Sequence, residues 1–165
     1  MYALALLLAL VLGSAAAHKL IARPRLARAT GRLLHVNEPL ALPAMLAAAA
    51  IEAAAAIALL IPATQSLGAV IALMLWLGYA VALHLAHLRG DDSFDCGCNF
   101  GKSRKGIDRF TRLRPVGLGL LAMLVILYPG APDVIAPFAA LALFIMYLAA
   151  AELAALPSLS RSIAR

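Results

Sequence analysis

Charge is scarce in this sequence. Only 13% of its 165 residues are Asp, Glu, Lys or Arg, against about a quarter in ordinary soluble domains, while 64% are hydrophobic. So little charge cannot clothe a soluble globule, which excludes a water-soluble domain of this size and points to a bilayer. The mean hydropathy of +0.94 agrees. Aromatic residues are also sparse, at 6%, and no apolar stretch alternates with a period of two. That excludes a transmembrane β-barrel, whose strands alternate between lipid and lumen and whose rims carry aromatic girdles. Helices remain, because each satisfies its own backbone hydrogen bonds within one segment. Cysteine is nearly absent, with two residues, too few for a disulfide framework. The expected fold is all-α, a polytopic membrane helical bundle forming a single membrane domain over residues 1–165.

What is present is mostly span. A transmembrane helix needs about 20 apolar residues, and five stretches meet or approach that length: about 1–21, 39–62, 67–88, 112–129 and 133–156. The fourth is short unless its arginine-bearing start reaches the headgroups. Four to five transmembrane helices are therefore expected, with five preferred. Short connections at Pro62–Ser66 and Pro129–Pro132 predict two antiparallel helical hairpins. The first stretch carries a small-residue A-x-A motif at Ala15–Ala17, which resembles a signal-peptidase site. It lacks a basic residue before its apolar run and is followed by five basic ones, so a retained helix is expected.

The distribution of basic residues orients the bundle. Five of the Lys and Arg residues follow the first span, seven follow the third and two lie in the C-terminal tail, which accounts for all 14. The N-terminus and the two short links have none. With five spans, every basic residue falls on one side, and the positive-inside rule places the N-terminus outside and the C-terminus in the cytoplasm of a bacterial inner membrane. The net charge of +6 is thereby explained without nucleic acid.

The two cysteines lie in the polar loop 89–111, within "FDCGCNFG". Cys96 and Cys98 are separated by Gly97 alone, which supplies the backbone freedom a small ring requires. A disulfide closed across one residue departs from relaxed dihedrals, and strained disulfides are the labile, exchangeable ones. Lys102, Arg104 and Lys105 would favour a thiolate, whereas Asp91, Asp92 and Asp95 would oppose it. A metal site is the alternative: His84 and His87 share one helix face at i and i+3 and lead into Cys96 and Cys98, a donor set suited to zinc or copper. Structural zinc, however, usually has two or more residues between paired ligands. A simple loop turn holding two small side chains is the third reading.

Within the spans, Glu52 stands out. It lies near the middle of the second apolar stretch among alanines, and an ionisable group at membrane depth marks function by default. Glu52 is expected to face the bundle interior, hydrogen-bonded to a neighbouring helix or a substrate. His84 lies about four residues inside the end of the third span, more than ~10 Å from Glu52 along the membrane normal at ~1.5 Å per residue. His18 and Lys19 close the first span and are expected to snorkel to the headgroups. Trp76 and Tyr79 read as packing residues in preference to a quinone platform. Glu38, before Pro39, reads as a helix start, and Glu152 as an interfacial group.

Taken in order, "HKL" closing the first helix, "AIEAAAAIALLI", "LGAVIALMLWLGYAVALHLAHLRG", an aspartate directly before Cys-Gly-Cys and an arginine opening the next helix resemble the methylamine-utilisation protein MauE family, within the DoxX-like membrane proteins. The resemblance covers roughly residues 1–128. Asn99 interrupts the family's Asp-Cys-Gly-Cys-Phe-Gly run, and Arg114-Pro115 stands in place of its Arg-Asn. The resemblance implies a role in maturing methylamine dehydrogenase, whose small subunit carries several disulfides and a tryptophan-derived quinone, and it implies a thioredoxin-fold partner. Two functions follow. The first is a thiol–disulfide electron carrier for an exported client, using Cys96 and Cys98, with Glu52 or His84 handling protons and a membrane quinone as one candidate electron acceptor. The second is a non-enzymatic assembly or chaperone subunit, its thiols structural or part of a Cys/His metal clip. A transporter would call for more polar residues along the spans than the single deep Glu52.

Overall fold

The computed structural model describes residues 1–90 and 109–155. It is helical, with no strand among the described residues: α1 (Tyr2–Ile21), α2 (Arg23–Leu34), α3 (Glu38–Leu60), α4 (Gln65–Leu88), α5 (Arg109–Leu127) and α6 (Ala136–Ala155), with a short 3-10 turn at Pro62–Thr64. The all-α membrane bundle expected from composition is the fold observed. Cys96 and Cys98 lie outside the described residues.

Among the described residues, four helical segments are long and apolar enough to cross a membrane: Tyr2–Ile21, Glu38–Leu60, Pro62–Leu88 and Ala136–Leu153. The remaining long helix, α5, opens with Arg109, Arg112 and Arg114 and continues into the apolar run 116–127. The protein is thus a multi-pass membrane protein.

Helices α1, α3, α4 and α5 pack in a closed ring: α1 on α3, α3 on α4, α4 on α5 and α5 back on α1. Small residues permit the close approaches. A Cβ added to Gly68 would lie 2.7 Å from the Leu59 backbone nitrogen, so α3 and α4 touch nearly backbone to backbone there. Leu8 and Leu12 of α1, Leu59 of α3, Ala69 and Ala72 of α4 and Val125 of α5 fill the centre and are buried. In a bilayer, lipid is as apolar as the side chains, so such packing rather than water exclusion holds the helices together.

Two expectations about the chain path are revised. The link expected to make a hairpin of the last two helices leads elsewhere: α6 packs chiefly against α1, and α5 meets it mainly through side chains. Residues 128–135 contain Pro129, Pro132 and Asp133 and carry the chain across the bundle end, where Gly130 abuts the Tyr2 backbone. The second revision is α2, a separate helix not foreseen. Its composition, "RPRLARATGRLL", is too polar for an apolar-span search. It packs mainly on the first half of α3, with Leu26 as its buried residue. Its end is a Schellman turn: the Val36 N–H donates to the Gly31 carbonyl at 3.0 Å and the His35 N–H to the Arg32 carbonyl at 3.3 Å, with His35 at φ 55°.

The two ends of the bundle differ in charge. At one end, Tyr2 Oη donates to the Leu60 carbonyl at 3.0 Å, and the Gly130 N–H donates to Gln65 Oε1 at 3.3 Å. Among the described residues no Lys or Arg lies there. The other end gathers Lys19, the four arginines of α2, and Arg89, whose Nη2 donates to the Leu33 carbonyl at 2.8 Å and ties α4 to α2. Arg112 and Arg114, on the first turns of α5, belong to this end as well.

Candidate functional site

Glu52 sits on α3 in the run "IEAAAA", whose alanines let α1 and α4 come close on either side. Its side chain is 1% exposed. Burial of a carboxylate in a bundle core is tolerable only with a counter-charge and satisfied lone pairs, and both are supplied. Lys19 of α1 turns inward and its Nζ meets Glu52 Oε1 at 2.6 Å and Oε2 at 2.7 Å. Tyr79 of α4 donates its hydroxyl to Glu52 Oε1 at 2.6 Å. Lys19 Nζ also lies 5.4 Å from the centre of the Tyr79 ring, within the range of a cation–π contact. Three helices are thus joined at one carboxylate.

The interior position expected for Glu52 is the one observed. Lys19 departs from the reading made for it. Snorkelling would place its ammonium in the headgroups, but a buried acid one helix away offers a better partner than hydrated lipid. Tyr79, read as packing, is a hydrogen-bond donor. The sequence did contain a signal for Lys19: a lone deep acid requires a cation, and Lys19 is the basic residue closest to the interior of its own span.

Beside this triad lies a small cavity of about 50 Å³, bounded by Lys19, Glu52, Trp76, Tyr79, Arg114 and Tyr147, with His18 and Thr111 also at its wall. Such a volume suffices for one or a few waters or a small ligand group. Arg114 enters from α5: its Nε donates to the Tyr147 hydroxyl on α6, and its guanidinium carbon lies 4.5 Å from the centre of that ring. Pro115 lines the same wall. Having no N–H, it cannot bond the Thr111 carbonyl four residues back. His18 Nε2 is 3.3 Å from Arg25 Nη2, which links this region to α2. Arg114 and Tyr147 were not singled out as site residues from the sequence, because their meeting depends on how α6 docks.

A second, larger space of about 600 Å³ runs between α3 and α4 and is flanked by α2. Ile51, Val70, Met74 and Gly78 are among its walls, and Lys19 and Tyr79 form its polar end. Ile51, Val70 and Met74 are exposed, so this groove opens toward lipid. It leads from the bilayer to the far side of the same ion pair.

The other sequence candidates fall elsewhere. His84 is exposed on α4 and lines neither space, and His87 is half-buried near the end of α4. Among the described residues no group of three His, Cys, Asp or Glu side chains is arranged to hold a metal; Cys96 and Cys98 of the suggested His84–His87 set are outside that description. Trp76 is buried against the central core. Glu152 is exposed.

Comparison with known proteins gives one family. The sequence model of methylamine utilisation protein MauE matches residues 1–128, which takes in α1 to α4, the Cys-Gly-Cys segment and all of α5. No curated protein and no solved structure matches the chain.

Proposed function

The chain belongs to the MauE family, and we propose that it is a membrane thiol–disulfide carrier assisting the maturation of an exported protein. Cys96 and Cys98 are its redox pair, and the Glu52–Lys19–Tyr79 cluster is its proton-handling centre. The observation that carries this reading is the buried, three-helix charged network. Structural cohesion does not require an ion pair within an alanine-rich bundle, where replacing one by apolar packing is often neutral or better. Two-electron thiol chemistry does require proton acceptors and donors.

In the proposed cycle, the Cys96–Cys98 dithiol passes two electrons and two protons to an acceptor and becomes a disulfide. Exchange with a thioredoxin-fold partner restores the dithiol: the partner's two thiols form its own disulfide. That partner, now oxidised, passes its disulfide to the client, for which the family name suggests a methylamine dehydrogenase small subunit or a similar protein. A membrane quinone fits the geometry as the acceptor. The apolar groove between α3 and α4 suits a prenyl tail, and Lys19 at its polar end would hold a carbonyl oxygen. Such a group, when bound, would take up the two electrons. Glu52 accepts two hydrogen bonds from Lys19, whose ammonium has three protons to give, so one donor remains for a ligand without breaking the pair.

The orientation proposed is N-terminus outside and C-terminus in the cytoplasm of the inner membrane, on the ground that the described basic residues gather at one end. Helix α4 ends and α5 begins at that end, so electrons drawn from an exported client would cross the bilayer to reach the thiols.

Membrane-impermeant maleimide labelling in intact cells, before and after reduction and permeabilisation, tests both parts. Labelling only after both treatments supports a cycling disulfide on the inner side. Ready labelling from outside without reduction overturns the orientation and leaves free thiols, the state expected of an assembly subunit. Replacing Cys96 and Cys98 together by serine is expected to abolish client maturation; unchanged maturation would sink the carrier reading.

A further inference from the structure

Helix α2 supplies no member of the Glu52–Lys19–Tyr79 cluster, yet it carries four of the chain's arginines in twelve residues. Between it and the first turns of α3 lies an open groove of about 950 Å³. Arg23, Arg28, Arg32 and His35 line it, and Glu38 is the one acidic residue at its wall. Arg23 and Arg28 commit only their Nε atoms, to the Leu20 carbonyl at 3.0 Å and the Pro24 carbonyl at 3.1 Å. Their terminal guanidinium nitrogens make no ion pair among the described residues. The fourth arginine, Arg25, points away from the groove to His18.

The groove exists because Gly31 lets α2 lie close on α3: a Cβ there would come within 3.0 Å of the Ala41 side chain. Leu42 at its wall is exposed, and exposed Leu20, Ile21, Leu34 and Leu40 lie close to its lining residues in the sequence, an apolar collar. In a membrane protein such a collar belongs at the level of the upper acyl chains, with the arginines at headgroup level. Cationic floor and apolar collar together match one amphiphile. A soluble anion would use only the floor, and a neutral lipid only the collar.

We propose that this groove is a binding site for the headgroup of an anionic phospholipid, its phosphate held by Arg23, Arg28 and Arg32 and its acyl chains against the leucine collar. The site is independent of the thiol chemistry. It gives α2 a role as an interfacial clamp that fixes the α1–α3 corner, and with it Lys19, at a set depth.

Full-length protein, purified in neutral detergent and delipidated, is titrated with dioleoyl phosphatidylglycerol or dioleoyl phosphatidylcholine and bound lipid is read by native mass spectrometry. The parent is expected to prefer phosphatidylglycerol, and rising salt should erode that preference. The variant Arg23→Gln/Arg28→Gln/Arg32→Gln should bind it on the order of a hundredfold more weakly, at roughly 1 kcal/mol per basic residue, with phosphatidylcholine unchanged. Arg25→Gln removes the same charge outside the groove and should lose far less than Arg28→Gln. Equal binding of both lipids, undiminished binding by the triple variant, or equal losses from Arg25→Gln and Arg28→Gln would overturn the site. Displacement of phosphatidylglycerol by inorganic phosphate at matched concentration would reassign it to a free anion. Should the triple variant lose helicity, the lipid preference and salt dependence of the parent decide alone.

Discussion

Where Tyr2, Leu60, Gln65 and Gly130 converge, the bundle is closed by backbone meeting backbone and by hydrogen bonds to carbonyl or amide groups. Where Lys19, Arg25, Arg89 and Arg114 gather, helices are joined through long charged and aromatic side chains, and cavities remain between them. The contrast shows how a membrane bundle divides its tasks. Small residues give rigidity because nothing intervenes between the helices. Long polar side chains give reach, at the cost of gaps that admit waters or ligands. The chemistry-bearing groups, Glu52, Lys19 and Tyr79, stand just where the first regime gives way to the second.

Substitutions can break that contrast in a defined order. The largest effect is expected from Lys19→Met, which leaves the Glu52 carboxylate buried with Tyr79 as its remaining partner in the triad. Loss of one partner of a buried pair costs about 3–5 kcal/mol, to be read from denaturant unfolding in micelles. Adding Glu52→Gln to Lys19→Met should restore much of the loss, a strong non-additivity. Simple addition of the two single effects would show that the pair is not a coupled unit.

Next comes the close-packed end. Gly68→Ala would drive its Cβ to 2.7 Å from the Leu59 nitrogen, forcing α3 and α4 apart at a cost of about 1–3 kcal/mol. Gly78→Ala, on the same helix but with nothing within 4 Å, should be neutral or stabilising by up to about 1 kcal/mol, the usual helix preference for alanine over glycine. Equal thermal shifts for the two would mean that backbone approach does not hold this end. The smallest loss belongs to Tyr79→Phe, which deletes one hydrogen bond to Glu52 and keeps the ring beneath Lys19. About 0.6–1 kcal/mol is expected in a membrane, and the same measurement checks it. A loss as large as that of Lys19→Met would make the tyrosine, not the lysine, the principal partner of the acid.

The amino-acid sequence by itself determined the solvent, the helical class, the main apolar segments and the burial of Glu52. These follow from local quantities: hydropathy summed over a span, the clustering of arginines, and the cost of a carboxylate among alanines. It also carried the family, through the "RG" and "DCGC" elements and the order of the helices that flank them. It did not reveal α2, because an apolar-span search passes over an arginine-rich helix whose stability comes from packing along α3. Nor did it reveal the partners of Glu52. Lys19, Glu52, Tyr79, Arg114 and Tyr147 come from five different helices, and their meeting depends on which helices adjoin and at what rotation. The docking of α6 on α1, instead of as a hairpin with α5, decided that Tyr147 faces Arg114. Helix adjacency is a property of summed contacts between distant segments, which no window along the chain contains. The sequence therefore settled what had to be buried, and the tertiary structure settled with what.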